Sequence, residues 1–280
     1  MDHHAYCEEI AAPVGSPFRY ATYRLPAAQR QAMHALGALH RELDSVPHTI
    51  AEPSVARARL NWWQEELTRL EAGAPNHPIT CALADVGEAH DLPAVLLQAR
   101  VEGALMDTEY TGYQTVEDLD YYLARSGGVL WRLYGHVLGL TAHDDWLGRF
   151  GVASRRLQLL HYMGRDLAAG RIYLPAVQME RAGVRPADLM RDEPPAPVQA
   201  LLDSFSEQVG GALAAVAASM PEAGTRQLNR AFWPARVTLG IDRTLHRKIR
   251  EDGNQVLNHR VDLSPARMLW ISFIKQWQHR

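Results

Sequence analysis

Gln158-Leu159-Leu160-His161-Tyr162-Met163-Gly164-Arg165-Asp166-Leu167-Ala168-Ala169-Gly170-Arg171-Ile172-Tyr173-Leu174-Pro175 reads as the end of a buried helix, a Gly-Arg turn and an extended Tyr-Leu-Pro exit. Gly170 can take the left-handed conformation that caps a helix, and Pro175 cannot continue one. Tyr162 and Asp166 stand four residues apart, so a helix projects both from one face. A helical enzyme places a pair of metal-binding carboxylates at this spacing; here one member of the pair is a tyrosine.

Helical periodicity extends outward in both directions. Before this stretch, Ala32, Met33, Leu36, Leu39 and Leu43 recur by threes and fours, and Pro47 is expected to stop that helix. A helix over residues 55–70 puts Leu60, Trp63, Leu67 and Leu70 on one side and Glu65, Glu66 and Arg69 on the other. Helices are also expected over 79–90 and 93–109, the latter burying Leu96, Leu97, Val101, Leu105 and Met106. Thr115 and Asp118 form a capping-box-like start for a helix running past Gly127-Gly128 to Leu140. The acids Asp144-Asp145 open a continuous helix over 146–169, where they suit the helix dipole. After a proline-rich connection over about 181–197, helices are expected over 198–220, 225–252 and 265–277. No convincing period-two strand series occurs. The fold class is therefore all-α, with residues 1–280 read as a single domain.

Composition limits the function classes. A chain of 280 residues with 47% hydrophobic content can bury a large core. Its net charge of −3, with arginines and acids interleaved, gives no electrostatic footprint for nucleic acid. Cys7 and Cys81 lack metal-ligand spacing and suit a reducing compartment. Asp2, Glu8 and Glu9 argue against a secretory signal or transit peptide. No apolar run reaches the roughly 18 residues that span a bilayer, so the expected location is the cytoplasm, compatible with peripheral membrane contact. Thirteen histidines show no HExxH spacing, and neither a GxSxG elbow nor a P-loop is present.

Several segments in order resemble the squalene/phytoene synthases, the head-to-head prenyl transferases of the all-α isoprenoid synthase fold. They are Ser16-Pro17-Phe18 with Leu25-Pro26, Arg41-Glu42-Leu43-Asp44, Arg59 to Leu67, Met106-Asp107 with Tyr113 and Thr115, Gly170 to Pro175, and Gly253 to Leu257 before Arg260-Val261. The resemblance implies a helical bundle around a central cavity. It also implies two aspartate-rich motifs whose carboxylates hold Mg2+ against a substrate diphosphate, with an apolar tunnel shielding a carbocation.

Both motifs depart from that pattern. The first reads Asp44-Ser45-Val46-Pro47-His48, with an imidazole in place of the final carboxylate and Pro47 expected to break the helix. In the second, an ungapped alignment on Gly170-Arg171 puts Tyr162 at the first aspartate and Asp166 at the second. Anchoring on Arg165-Asp166 instead keeps the first aspartate and deletes the second. An aromatic expected in the first long helix is Gly37, and an arginine expected before Tyr113 is Gly112.

Asp44 and Asp166 are thus the candidate catalytic and metal-holding carboxylates, with Mg2+ the cofactor of an active enzyme. Arg41, Arg165 and Arg171 can bind a diphosphate without metal, since guanidinium forks match phosphate oxygens; the alternative is an ion-pair network, with Arg41 on Asp44. Asp107, Tyr162 and Tyr173 complete the candidate substrate site. The aromatics Trp62, Trp63, Trp131, Trp270 and Trp277 read as core anchors. Three readings follow. One is a degenerate member that binds a prenyl diphosphate or other isoprenoid lipid with weakened or lost magnesium chemistry. Another is an active prenyl transferase. The third is a helical assembly module with a protein partner, akin to the mitochondrial complex I assembly factor that resembles phytoene synthase and has lost its aspartate motifs.

Overall fold

The computed structural model describes residues 2–50, 52–222 and 224–277. These contain helices and connecting turns, with no β-strand among the described residues. The helices of the first half are α1 (His3–Ala11), α2 (Pro17–Thr22), α3 (Ala27–Thr49), α4 (Pro53–Glu71), α5 (Pro78–His90), α6 (Ala94–Glu109), α7 (Val116–Leu123) and α8 (Val129–Leu138). The second half holds α9 (Asp144–His161), α10 (Met163–Ala168), α11 (Ala176–Arg181), α12 (Pro186–Leu189), α13 (Ala196–Ala218), α14 (Arg226–Ala231), α15 (Trp233–Glu251) and α16 (Pro265–Trp277).

The long central helix α3 buries Ala32, Met33, Leu36, Leu39 and Leu43, the stripe its periodicity predicts. Pro47, however, does not stop it. The helix runs on to Thr49, and Ile50 N–H still bonds to the Val46 carbonyl at 3.1 Å. The proline costs the one ladder bond that its own nitrogen would have donated, and only two helical residues follow it. Asp44 and His48 therefore do share a helical face.

In α4 the expected apolar side is buried, but Glu66 is buried with it rather than facing solvent. Its carboxylate accepts the Asn76 and His77 backbone N–H groups, each at 2.8 Å, together with the Thr80 hydroxyl and Arg69. It thereby caps the start of α5. Burial pushes Glu66 up, yet these donors outweigh it and hold the group down at about 2.

Between α7 and α8 the chain does not run as one regular helix, because Ala124–Gly128 forms a π-helical turn. This turn lies against α9 where Gly127 meets Gly151: a Cβ on Gly151 would lie 2.1 Å from the Gly127 carbonyl oxygen. Only two glycines permit that backbone approach, which draws α9 toward α6 and α7.

The helix expected over 146–169 is also interrupted. α9 ends at His161, Tyr162 leaves helical geometry (φ −101°, ψ 12°), and α10 begins at Met163. The cause is the loop after α15. Gly164 N–H bonds to the Val256 carbonyl at 3.1 Å instead of continuing the ladder, and any Cβ at Gly164 would lie 2.5 Å from the Leu257 oxygen. The Gly253–Leu257 segment is thus seated on the helix break. Downstream, Gly170 takes φ 77° as the left-handed cap, and Thr115 with Asp118 closes a capping box on α7.

The helix expected over 225–252 divides at Phe232, since Pro234 sits in the first turn of α15. A small second core of Ala21, Trp233, Val237, Ile241, Met268 and Ile271 ties α2, α15 and α16 together. Because α16 uses Met268 and Ile271 for that contact, Trp270 is not a core anchor but stands 58% exposed. Trp63 and Trp131 are buried as expected, and Trp62 is partly so; the Trp277 ring lies outside the described residues. Among the described residues no helix is long and apolar enough to cross a membrane.

Replacing Gly151 by alanine puts a methyl into the Gly127 backbone. The substitution is expected to destabilise the protein by about 2–4 kcal/mol, read from urea unfolding. An unchanged midpoint would show that the α9 crossing is not constrained.

Candidate functional site

Asp44, in the penultimate turn of α3, is the hub of a polar network inside the bundle. Arg155, from α9, clamps it with two N–H groups, Nη2 to Oδ1 at 2.8 Å and Nη1 to Oδ2 at 2.9 Å. Arg100, from α6, donates Nη2 to the same Oδ1 at 3.1 Å and its Nε to His40 Nδ1 at 2.9 Å. Both guanidinium groups are buried, while Asp44 keeps 23% of its side chain exposed. Burial pushes the Asp44 carboxyl up, but Arg155 and Arg100 outweigh it and hold the group well below the usual carboxylate range. His40, desolvated and next to Arg100, is depressed to about 3 and stays neutral, which leaves Nδ1 able to accept.

The network continues to Asp107. Arg155 Nη2 donates to the Tyr122 hydroxyl at 2.7 Å, Tyr122 donates to Asp107 Oδ2 at 2.7 Å, and Tyr173 donates to Oδ1 at 3.0 Å. The Tyr113, Tyr122 and Tyr173 rings stack on one another, with centroids 5.2 to 6.2 Å apart. Burial pushes Asp107 up to about 6, although Arg155 and the Tyr122 hydrogen bond oppose it. Arg171 is held by backbone: it donates to the Pro47 carbonyl at the end of α3 at 3.0 and 3.3 Å and to the Asp107 carbonyl. It caps two helix ends at once.

Asp166, Arg165 and Tyr162 form a separate group. Asp166 is buried and accepts from Arg165 Nε at 2.9 Å and Nη2 at 2.6 Å. Burial raises its pKa, against the pull of Arg165. The Arg165 guanidinium lies 4.3 Å from the Tyr162 ring centroid, and Arg260 approaches the same ring at 5.6 Å. Arg41 is exposed, and the expected Arg41–Asp44 pair is replaced by Arg155 and Arg100.

The two other departures have local causes. At Gly37 a Cβ would lie 2.9 Å from the Phe18 ring, and Phe18 stacked on Tyr134 at 5.5 Å fills the space of the expected aromatic. At Gly112 a Cβ would lie 3.0 Å from the Ile172 oxygen, where the segments before α7 and after α10 meet in an isolated bridge.

Comparison with known proteins follows the same lines. The squalene/phytoene synthase family model matches residues 11–267. The chain belongs to that family. It is 26% identical over 281 residues to the 15-cis-phytoene synthase of Synechocystis sp., covering 95% of this chain and 82% of that protein. It is 28% identical over 180 residues to the phytoene synthase of Mycobacterium tuberculosis, covering 64% of this chain and 59%, under two thirds, of the relative. A crystal structure of a dehydrosqualene synthase in complex with ligand shares the fold at TM-score 0.85 and 21% identity, covering 99% of this chain and 96% of that one. The squalene synthase HpnC of Alicyclobacillus acidocaldarius does so at TM-score 0.75 and 21% identity, covering 90% and 94%.

The donor set does not suit the magnesium ions that family resemblance implies. Mg2+ requires near-octahedral oxygen ligands at about 2.1 Å. Both Asp44 oxygens already accept guanidinium N–H groups, Tyr162 offers no carboxylate, and Asp166 Oδ1 is taken by Arg165. Position 48 carries an imidazole depressed to about 4, chiefly by burial. Among the described residues no group of three or more His, Cys, Asp or Glu side chains is placed to hold a metal.

His40, Arg100, Tyr122 and Arg155 were not candidates from sequence, yet they carry the network. A signal existed. Arg100 sits among Leu96, Leu97, Val101 and Ala104 on the buried face of α6, seven residues and two turns before Asp107. Arg155 likewise interrupts the buried stripe of α9. A buried arginine needs acceptors for its donors, and a carboxylate also meets its charge.

Asp107 gives a pH test. Its folded pKa, about 6, lies above the ordinary value near 3.9, so the folded state binds this proton more tightly. Its stabilising contribution is full below about pH 4 and is lost as pH rises through about 6. Asp107→Asn keeps the shape and one of the two acceptor oxygens but removes that titration. Its unfolding free energy relative to wild type should therefore rise between pH 4.5 and 7.5, by roughly 2 kcal/mol. A difference that is constant with pH in urea titrations would contradict the assignment.

Proposed function

We propose that this family member binds a prenyl diphosphate through arginine rather than metal, with magnesium-dependent condensation weakened or lost. The observation that carries this reading is the clamp of Arg155 and Arg100 on Asp44. Two guanidinium groups converge on the carboxylate that family resemblance assigns to a metal ion. They exceed it in charge, and Arg100 Nη1 and Arg155 Nε are buried without an acceptor among the described residues. Unmatched guanidinium N–H groups beside one carboxylate favour a further anionic oxygen, and a diphosphate carries several. His48 and Arg171 lie within electrostatic reach of each other at the same helix end, where Asp44 is partly open to solvent.

Diphosphate ionisation needs neutralisation of the leaving group. Arginine can supply part of that charge, but two guanidinium groups that share it with Asp44 are weaker than a set of divalent ions. Binding with little or no turnover is the expected consequence.

A second reading, an active head-to-head synthase, is favoured by the likeness to a protein named 15-cis-phytoene synthase across 95% of the chain. It requires Asp44 and Asp166 to leave their arginines and hold magnesium once substrate arrives.

Calorimetry with farnesyl and geranylgeranyl diphosphate separates the two. The first reading expects binding unchanged by EDTA, weakened about tenfold or more by Arg155→Gln, with no C30 or C40 product. Magnesium-dependent product that Asp166→Ala abolishes would establish the second reading and overturn the first. Absence of binding to either diphosphate would overturn both and leave a helical interaction module.

A further inference from the structure

A groove of about 700 Å3 opens between α13, α15 and α16. It is separate from the Asp44 network and shares none of its residues. Five arginines line it, Arg236, Arg243, Arg247, Arg250 and Arg267, against a single acid, Glu207. Arg236 is buried and bonded to Asn229. The other four are exposed. Arg243, Arg247 and Arg250 recur at i, i+4 and i+7, so they form a row on one face of α15. Arg247 lies 3.9 Å from Glu251, an exposed pair that holds it weakly. Arg243, Arg250 and Arg267 pair with no carboxylate among the described residues. A chain of net charge −3 thus carries a concentrated patch of positive charge.

Beside this row, α16 leaves Leu269, Trp270, Phe273 and Ile274 exposed. These positions, i, i+1, i+4 and i+5, form one continuous helical face. Met268 and Ile271 on the opposite side anchor α16 to Val237 and Ile241 of α15. Trp270 and Ile274 also line the groove, so the apolar face and the arginine row border each other. A contiguous exposed patch of large apolar side chains marks an interaction surface.

The charge pattern selects the occupant. A second copy docking on this face through a two-fold axis would bring identical arginine rows together, and the like charges would oppose it. An acidic soluble surface would match the arginines while leaving the tryptophan and phenylalanine without an apolar partner. An anionic bilayer satisfies both. Its phosphates meet guanidinium groups, and its headgroup boundary takes aromatic and aliphatic side chains.

We propose that the face formed by α15 and α16 docks this protein on an anionic phospholipid surface, with Arg243, Arg247, Arg250 and Arg267 on lipid phosphates and Trp270 and Phe273 in the headgroup boundary. Such docking is peripheral, consistent with the lack of a membrane-spanning helix among the described residues.

The test uses the full chain with sedimentable vesicles of phosphatidylcholine, with and without phosphatidylglycerol. Binding to the anionic vesicles should be stronger by about tenfold or more and should fall steeply as salt is raised. The double substitution Arg243→Glu with Arg250→Glu should reduce it about tenfold or more. Trp270→Ala with Phe273→Ala should reduce it on both kinds of vesicle. These surface changes should leave circular dichroism and thermal unfolding unaltered. Equal partition onto both lipids, or insensitivity of the wild type to salt, would overturn the proposal without reference to any variant. It would also be overturned if sedimentation velocity showed a dimer that the Trp270→Ala, Phe273→Ala protein fails to form, or if an acidic protein occupied the face in place of vesicles.

Discussion

A carboxylate and two arginines withdrawn from bulk water set the terms for the rest of this molecule. Placing Arg100 and Arg155 inside an apolar bundle is costly unless each charge is met, and Asp44 meets both within 3.1 Å. That requirement fixes three helices relative to one another, since the groups come from α6, α9 and α3. It also explains why α9 must approach closely enough for Gly127 and Gly151 to touch through their backbones. The neighbouring hydroxyls of Tyr122 and Tyr173 extend the same network to Asp107, whose carboxyl burial pushes up to about 6, with no cation in direct contact among the described residues.

Two carboxylates named by the same motif logic thus meet different fates. Asp44 is driven down by arginines that outweigh its burial, whereas Asp166 is shifted up by burial despite Arg165. Each is engaged by arginine, Asp44 through both oxygens and Asp166 through Oδ1. The family architecture persists around them: the Gly170 cap, the Arg171 tether to Pro47 and Asp107, and the Gly253–Leu257 loop seated on Gly164 all hold the scaffold in place. The scaffold depends on backbone and packing, whereas any metal chemistry would depend on a few side-chain oxygens.

Much of the fold was legible in the residues. The apolar stripes of α3, α4 and α6, the capping box at Thr115 and the Gly170 turn all follow from local periodicity and cap chemistry, which act over a few residues. The misses share a cause, since each was settled by a distant segment. Pro47 reads as a stop locally, but it falls so late in α3 that the helix closes around it, and Arg171 then takes its carbonyl. The break at Tyr162 depends on Val256, about ninety residues later in the chain. Glu66 looked solvent-facing until the start of α5 supplied its donors. In the site, Asp44, Asp107 and Tyr173 were legible from the motifs, whereas Arg100 and Arg155 are visible only as charges in apolar stripes, and a stripe does not reveal which carboxylate it faces.

The polar interior of the bundle depends on Arg155 and Asp44 acting as a unit. A double-mutant cycle on unfolding free energy, using Asp44→Asn, Arg155→Met and the two combined, measures this directly. Asp44→Asn leaves the buried Arg155 without its carboxylate, and Arg155→Met takes away the two-bond partner of Asp44, so the double variant should be less destabilised than the sum by about 2 kcal/mol or more. Additivity within about 0.5 kcal/mol would mean that Asp44 is not engaged by Arg155, and the carboxylate would again be available to a metal ion.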